Sequence, residues 1–403
     1  MKISATLKGF IRKLGEWRAG LPDTLEAQAV FFRDHACALP EDPGPQRAID
    51  AGLDWLLEAQ RNSSSRDGGV ARHYSVQTGW APSYPETTGY IVPTLLQHAA
   101  RRVDAALRPA AKQMLDWLKS IQLPSGAFHG SHRHSKPLEP VVFDTGQILF
   151  GLAAGVRCFG SVYEEALGNA ARWLVRMQDP DGAWRLPNPF AIPGDHVWET
   201  HVAWGLLEAS RVTGDESFAE AGMRNIRWAA GKQHENGWYP DCGLGRGDAA
   251  APLTHTIGYT LRGILEGFLF SRDASLLHAA MVTADSLLRA QHDNGSLPGQ
   301  LDENWRGTVS WICLTGSVQI SLCWLLLFQE TGREEYLTAA RKSNAFVRRT
   351  LRLDGPAHTR GAVKGSFPIS GQYCRYQYIN WACKFMIDAC TLEAETGRGA
   401  KLA

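Results

Sequence analysis

The sequence predicts an all-α fold, a single (α/α)6 toroid in which six helical hairpins close into a barrel. Three observations predict it. Anchor positions, four of them tryptophans, recur at 55, 117, 173, 228, 286 and 346, with separations of 62, 56, 55, 58 and 60 residues. A Gln follows each of the first five anchors at the fifth position, and a Gly stands four residues after that Gln in repeats two to five. Six such units fill the 403 residues, so one repeat array replaces the two or three domains that length alone suggests.

Each repeat is predicted to contain two helices. The first, outer helix is amphipathic, carries the anchor and ends near the Gln, with the Gly as its left-handed cap. The second, inner helix is more apolar, and most inner helices begin with Thr, Asp or Glu as N-cap or first-turn residues. The predicted inner-helix starts are Glu86, Asp144, Glu199, Thr254, Thr315 and Tyr376. The toroid is predicted to span 41–403, after an N-terminal helix and lead-in at 1–40.

Composition narrows the class of protein. The formal net charge is +1, from 42 Lys and Arg against 41 Asp and Glu, so bulk charge does not favour a nucleic-acid partner. No apolar run reaches the roughly 18 to 20 residues of a membrane span. Residues 1–20 lack the apolar region of a secretory signal. Their basic amphipathic pattern predicts a packed first helix or, alternatively, one that contacts a membrane surface.

Eight cysteines without a C-x-x-C pair are typical of a reducing cytoplasm, where we expect the protein.

The long loops predict where a site lies. In every repeat 21 to 26 residues separate the Gln, or the equivalent position, from the inner-helix start. All six long loops therefore meet at one end of the toroid, where the inner-helix N-termini open, and connections of this length usually carry function. We number each long loop by its repeat. The formal charge sums to +6 over loops six, one and two, and to −6 over loops three, four and five. This asymmetry favours a cleft with a cationic wall for an anionic substrate, the alternative being scattered surface charge.

Three carboxylates, Glu86, Asp144 and Glu199, open the inner helices of repeats one to three. They either cap these helices or include a pair that performs general acid and base catalysis across a glycosidic bond.

On the fourth inner helix, His255, Tyr259 and Arg262 share one face. This face is either an internally satisfied network or a set that faces a cavity, since unpaired polar burial is costly. In the second case Arg262 holds a carboxylate while His255 or Tyr259 moves a proton, as a uronate lyase or C5-epimerase requires.

Further candidates for substrate binding are aromatic, basic and histidine residues near the inner-helix starts. Aromatic side chains stack on sugar faces, but they also fill cores. The candidates are Tyr84, His134, Trp198, His201, Trp305, Lys364, Arg375, Tyr376 and Tyr378, with Tyr373 and Trp381 in the same span as the last three.

The motif W-L-x-x-x-Q-x-x-x-G-x-W is complete from Trp173 to Trp184. It resembles the QW repeat of squalene and terpene cyclases and of protein prenyltransferase β-subunits. The resemblance covers all six units and implies the toroid but not its chemistry. The sequence has no D-x-D-D acid of the cyclase kind, and Asp241-Cys242 lacks the spacing of the prenyltransferase zinc site. No metal and no cofactor are therefore predicted.

A closer resemblance is to bacterial toroid proteins encoded among exopolysaccharide and O-antigen biosynthesis genes. It rests on five segments, which are PETTGY at 85–90, FDTGQ at 143–147, THTIGY at 254–259, KGSFP at 364–368 and NWACK at 380–384. These proteins are similar in architecture to six-hairpin glycosidases and uronate-processing toroids. The resemblance implies a polysaccharide or oligosaccharide partner without naming a reaction.

The leading prediction is a carbohydrate-active enzyme of polysaccharide biosynthesis that acts on an anionic bacterial polysaccharide or its precursor. A glycoside hydrolase is favoured, ahead of a uronate lyase or C5-epimerase. One alternative is an isoprenoid or terpene cyclase or a prenyltransferase-like enzyme, which predicts a closed aromatic cavity without carboxylates at its mouth. Another is a non-catalytic glycan-binding or scaffold protein, in which the mouth carboxylates are replaceable.

Overall fold

The computed structural model describes residues 22–36, 38–101, 105–130, 138–186, 193–245 and 248–399. In these ranges the chain forms thirteen α-helices and five strands of two or three residues. The helices are α1 (Leu25–Ala36), α2 (Pro45–Arg61), α3 (Pro85–Ala99), α4 (Leu107–Ile121), α5 (Val142–Phe159), α6 (Glu164–Met177), α7 (Thr200–Thr213), α8 (Glu216–Ala230), α9 (Thr254–Ser271), α10 (Ala274–Ala290), α11 (Leu314–Thr331), α12 (Glu334–Arg349) and α13 (Asn380–Gly399). The strands are β1 (His73–Ser75), β2 (Gly79–Trp80), β3 (Ile312–Cys313), β4 (Ser366–Phe367) and β5 (Gln377–Ile379).

Helices α2 to α13 form six hairpins whose inner helices make a closed ring. Each inner helix (α3, α5, α7, α9, α11 and α13) packs on the next, and α13 contacts both α2 and α3. An outer helix buries one face, whereas α11 buries every residue from Leu314 to Leu325. Because the inner helices are buried on nearly all sides, their sequences are almost continuously apolar. The predicted (α/α)6 toroid is confirmed.

The repeated Gln joins one repeat to the next. Its side-chain Nε2 donates to a backbone carbonyl of the following outer helix at 2.8 to 3.1 Å in all five copies. The pairs are Gln60 with Ala110, Gln122 with Ala166, Gln178 with Ala221, Gln233 with Ala279 and Gln291 with Ala339. Because these carbonyls are buried at the seam between repeats, an unpaired one would cost stability. The Gln therefore ties neighbouring hairpins together.

The Gly of the motif lies in a turn against the next repeat and does not cap the outer helix as predicted. Gly126 has φ +94°, and a Cβ there would lie 2.6 Å from the carbonyl oxygen of Asn169 on α6. Gly237 repeats this arrangement, with φ +83° and a Cβ position 2.8 Å from Val282. Both the left-handed backbone and the close approach of the next helix require glycine.

The inner helices of repeats one to five begin within one or two residues of the predicted positions. The predicted N-capping by side chains, however, is not found at α3 or α5. Neither α3 nor α5 has a side-chain N-cap hydrogen bond. Instead Thr88 and Thr145 accept backbone N–H groups of the preceding long loops, from Val70 at 3.0 Å and Phe128 at 2.9 Å. The threonines therefore position the loops, and the neighbouring carboxylates are left available for other contacts.

The sixth inner helix begins at Asn380 rather than near Tyr376. Residues Gln377–Ile379 form β5, which pairs antiparallel with β1. The sequence pattern could not separate these states, because Gln-Tyr-Ile fits a short strand as well as a helix start. The β1–β5 pair connects loop one to loop six, and it closes the ring on the loop side.

Helix α1 is a feature that the sequence analysis did not predict inside the 1–40 lead-in. It packs against the loops of repeats one and six, where Asp34 forms a buried ion pair with Lys364 at 2.6 Å and Glu26 accepts a hydrogen bond from Tyr74 at 3.0 Å. The helix predicted at the start of the chain lies in residues 1–21, outside the described residues.

Helix α5 is the one helix in the described ranges that is long and apolar enough to span a membrane, and 72% of it is buried inside the protein. That burial is expected of an inner helix of the ring.

Candidate active site

A cavity of about 270 Å³ lies at the end of the ring where the inner helices begin. Its lining is mostly aromatic, and it includes one arginine, one histidine and two carboxylates. The lining residues that matter for chemistry are Arg72, Tyr84, Glu86, Tyr90, Phe143, Asp144, Trp198, His255, Tyr259, Tyr373 and Trp381. Such a pocket, apolar with a few convergent polar groups, is the usual form of a small-molecule site.

The two carboxylates come from adjacent inner helices. Glu86 is the second residue of α3, and Asp144 is the third residue of α5. The hydroxyl of Tyr84 is a hydrogen-bonding neighbour of both. Asp144 is 4% exposed, and its Oδ1 has no hydrogen-bond partner among the described residues. An unpaired buried acceptor is costly, so this oxygen is suited to hold a proton or to meet a substrate hydroxyl.

Burial raises the pKa of both carboxyls, and the negative charge of Glu86 adds to the shift at Asp144. Burial raises the pKa of Glu86 to about 7, although Tyr84 and the positive charge of Arg72 act in the opposite direction. Burial, and then the negative charge of Glu86, raise the pKa of Asp144 well above its usual value. Two carboxyls that repel each other in this way titrate as a pair. Near neutral pH the pair therefore retains a proton.

Arg72 supplies the positive charge of the cavity. Its guanidinium lies 5.5 Å from the ring centre of Tyr84 and 5.1 Å from that of Trp381, in the geometry of cation–π contacts. These rings border the side chain, and although burial opposes the charged form, Cys374, Tyr84, Tyr373 and Glu86 together raise the pKa of Arg72. Arg72 can therefore receive an anionic group of a ligand beside the carboxylate pair.

His255 and Tyr259 line the opposite wall. The Nδ1 of His255 lies 2.6 Å from Oε1 of Gln319 and donates to it, which leaves Nε2 as the acceptor of a neutral ring. Burial lowers the pKa of His255 to about 4, so the imidazole is neutral at pH 7. The ring of Tyr259 lies 4.4 Å from that of His255, and Tyr90 lines the same cavity.

Some predicted site residues on the inner helices lie outside the cavity. Glu199 is fully buried in the 3-10 turn Val197–Glu199, with Oε1 4.0 Å from Nδ1 of His196. His201 does not reach the cavity either. Arg262 forms an ion pair with Glu266, with Nη2–Oε1 at 2.6 Å, so the predicted His–Tyr–Arg face is divided between a cavity and an internal pair.

Most of the loop candidates lie elsewhere as well. Lys364 is paired with Asp34 under α1, Tyr378 lines a separate cavity beside it, and Tyr376 is buried. Arg375 is exposed and lies over the ring of Tyr376. Trp305 packs edge-on against Trp238. His134 lies outside the described residues. In the described loops, Arg72 is the one cation that lines the cavity, so the predicted cationic wall reduces to a single charge there.

Three lining residues were not singled out from the sequence. Arg72 was one of several loop cations, and no pattern distinguished it. No sequence pattern indicates Phe143, although it directly precedes Asp144. Tyr90 could have been found, because it follows Glu86 at the same spacing that separates Tyr259 from His255, and residues four apart share a helix face.

The raised pKa of Glu86 makes a prediction about stability. Because the folded protein binds this proton more tightly than the unfolded chain, stability is lost as the pH rises from about 4.5 to about 7. We expect Glu86→Gln, which cannot ionise, to be more stable than the parent protein by about 3 kcal/mol at pH 8 and nearly unchanged at pH 4. Urea denaturation at both pH values measures this difference.

The matched control is Glu220→Gln on the exposed surface of α8. It is expected to give the same difference from the parent protein at both pH values. A pH-independent effect of Glu86→Gln would contradict the burial argument.

The fold is one shared with carbohydrate-active enzymes. No protein-family model matches the sequence, and no curated protein matches it. Among solved structures, the chain is similar to an unsaturated glucuronyl hydrolase specific for heparin, with a TM-score of 0.71 and 15% identity over 88% of this chain and 98% of that chain.

Two sugar-converting enzymes are similar to a comparable degree. One is a D-mannose isomerase, with a TM-score of 0.69 and 12% identity over 87% of this chain and 97% of that one. The other is the cellobiose 2-epimerase of Bacillus thermoamylovorans, with a TM-score of 0.66 and 11% identity over 85% and 98%. At these identities the likeness establishes the toroid, and the chemistry has to be argued from the cavity.

Proposed function

We propose that this protein is a glycoside hydrolase that removes a terminal acidic sugar from a bacterial glycan or glycan precursor, with Asp144 and Glu86 as the acid and base pair. The single observation that carries the proposal is the carboxyl pair itself. Two carboxyls from adjacent helices retain a proton near neutral pH inside a largely aromatic cavity. A glycosidase needs one protonated and one ionised carboxyl at the same time.

We assign the roles from the causes of the two pKa shifts. Burial raises both, and at Asp144 the negative charge of Glu86 acts in the same direction, so Asp144 is assigned to keep its proton and to donate it to the leaving oxygen. Glu86, with a pKa of about 7, accepts a proton from the attacking water. Because an acid must be protonated and a base ionised, kcat/KM should rise through about pH 7 and fall at higher pH.

The cavity favours a terminal sugar that carries a carboxylate. Tyr90 and Tyr259 line the cavity on the side of the separate cavity that Tyr90 also lines, so we expect one end of a glycan to enter rather than a chain to pass through. Aromatic side chains such as Phe143 and Trp198 offer faces for a sugar ring, and Arg72 can pair with its carboxylate. The structural similarity to an unsaturated glucuronyl hydrolase supports the same substrate class. The context that we propose for the reaction is polysaccharide assembly, which the resemblance implies, in the cytoplasm, which the cysteine pattern favours.

A second candidate reaction is epimerisation or isomerisation of a sugar. His255 favours it, because its ring lines the cavity, is held by Gln319 and is neutral. A base that removes a proton from carbon has to be neutral and oriented in this way. The similarity to a mannose isomerase and a cellobiose epimerase points the same way. Arg262 no longer supports a lyase, because Glu266 neutralises it outside the cavity.

One set of incubations separates these reactions. Oligosaccharides that end in glucuronate or in 4,5-unsaturated glucuronate are treated with the purified protein in H₂¹⁸O and, separately, in D₂O. Hydrolysis predicts a released monosaccharide, a new reducing end and one ¹⁸O. Carbon-bound deuterium without cleavage would favour the epimerase, and a new ultraviolet-absorbing double bond would indicate a lyase. No turnover of any acidic glycan would contradict the proposal.

Replacing Arg72 with Met tests the substrate class. Loss of a charge-assisted contact to a carboxylate predicts a KM for the acidic oligosaccharide that is about 10 to 100 times higher. Steady-state kinetics on the matched neutral glucoside should show little change in KM. The acid limb of the pH profile should also move to higher pH, because Arg72 lowers the pKa of Glu86. Equal losses on both substrates would show that Arg72 is structural.

A further inference from the structure

A second cavity, of about 220 Å³, lies further along the inner helices than the first. Its lining includes α3, α5 and α13, which also line the first cavity, together with α7, whereas α9 lines the first cavity alone. On α3 the lining moves from Glu86 to Thr94 and Gln97, and on α5 from Asp144 to Phe150. The second cavity therefore lies toward the C-terminal ends of the inner helices, away from the long loops.

The charged groups of this cavity neutralise one another. The ammonium of Lys384 lies 2.5 Å from the carboxylate of Asp388, and the guanidinium of Arg157 lies 2.6 Å from that of Glu208. Thr94 donates a further hydrogen bond to Asp388 at 2.7 Å. With two cations and two anions in pairs, the lining carries no net charge. An ionic ligand would have to break one of these pairs, so the cavity favours an uncharged ligand.

Three buried polar atoms in the lining have no protein partner among the described residues. They are Nε2 of His201, a residue that is 2% exposed, Nε1 of Trp204 and the hydroxyl of Tyr90. His201 donates from Nδ1 to Oε1 of Gln147 at 2.7 Å, and burial holds its pKa well below the usual value. Its Nε2 is therefore an acceptor, while the indole of Trp204 is a donor. The pair can accept from one hydroxyl group and donate to another.

Aromatic faces complete the cavity. The ring of Trp204 lies 4.4 Å from that of Phe150 and 5.0 Å from that of His201, and Tyr90 contributes a third wall. Apolar faces together with a separate donor and acceptor are complementary to a polyhydroxylated ring, which has C–H faces and hydroxyl edges. We propose that the second cavity is a binding site for a neutral sugar, distinct from the carboxylate cavity.

The two cavities are separated by a single layer of side chains. Tyr90 lines both, and the ring of Tyr259 lies 4.4 Å from His255 on one side and 4.4 Å from His201 on the other. The site does not depend on the proposed hydrolase activity, because none of its polar groups belongs to the carboxyl pair.

The test uses D-glucose as the probe and saturation-transfer NMR on the full-length protein. We expect binding with a Kd at or below about 10 mM, the weak end of the affinity scale. Trp204→Phe keeps an aromatic ring but removes the donor, and it should weaken binding about tenfold. Gln97→Trp places a bulky ring at an exposed position of the cavity rim and should abolish binding. Lys342→Trp on the exposed face of α12 is the matched control, and it should bind as the parent does.

Two comparisons distinguish this site from the first cavity. Asp144→Asn should bind glucose as the parent does, and D-glucuronate, which the carboxylate cavity is proposed to bind, should not displace glucose from the parent protein. Loss of glucose binding in Asp144→Asn with retention in Gln97→Trp would place the sugar in the first cavity and overturn the proposal. Displacement of glucose by glucuronate, or no glucose binding at all, would overturn it as well.

Discussion

Replacing Asp144 with Asn is expected to lower kcat/KM on the acidic oligosaccharide by about a thousandfold, within the range that general acid–base catalysis contributes. The amide has the shape of the carboxylic acid but cannot deliver a proton to the leaving oxygen. Asp144 is 4% exposed and has an unpaired Oδ1, so the substitution adds no bulk and breaks no side-chain hydrogen bond of that oxygen. We therefore expect kcat to fall while the protein remains folded.

Glu199→Gln is the matched control. It makes the same chemical change at the start of the next inner helix, outside the cavity, and activity per folded molecule should stay within a few-fold of the parent. Circular dichroism and urea denaturation report the folded fraction of each variant. An active Asp144→Asn protein beside an inactive Glu199→Gln protein would refute the assignment of the pair.

Gly126→Ala is expected to destabilise the protein by about 2 to 5 kcal/mol. Two costs combine at this position. An L residue at φ +94° is strained by about 1 to 2 kcal/mol. The added Cβ would also meet the backbone oxygen of Asn169 at 2.6 Å, and overpacking of this kind costs about 1 to 3 kcal/mol. The free energy of unfolding from urea titrations measures the total.

Gly214→Ala separates the two costs. Gly214 caps α7 in the left-handed conformation, with φ 74°, and a Cβ there would meet nothing within 4 Å. This variant should lose only the backbone contribution of about 1 to 2 kcal/mol. If the two glycine variants were equally stable, the contact between repeats at Gly126 would not be a structural requirement.

The repeat architecture could be predicted because its determinants are local and recur. Each outer helix shows the amphipathic period, and Gln122 and Gly126 stand at the same spacing as Gln178 and Gly182. What these residues do could not be inferred from spacing alone. The outer helices end at or near the Gln as predicted, but the Gln side chain also bonds to the following repeat, and the Gly accommodates a backbone 43 residues away in the case of Asn169.

The candidate site was predicted only in part for a related reason. Glu86, Asp144 and Glu199 look equivalent in the sequence, since each lies at the start of an inner helix. Successive helical residues point about 100° apart, so a small change in how a helix begins redirects a side chain. Glu199 lies in a 3-10 turn and is directed to His196, while Glu86 and Asp144 reach the cavity.

The sequence by itself determined the all-α toroid, the count of six hairpins and the end at which the inner helices open. These properties follow from hydrophobic periodicity and from residues repeated at a fixed distance, both of which act within one repeat or between neighbours. Tertiary structure decided the composition of the cavity. It placed Arg72 from loop one beside Trp381 from the sixth repeat. It also placed His255 in the cavity and Arg262 in an ion pair with Glu266, although both residues lie on the same face of one helix. Those relations depend on helix rotation and on ring closure over some 300 residues, which no local pattern encodes.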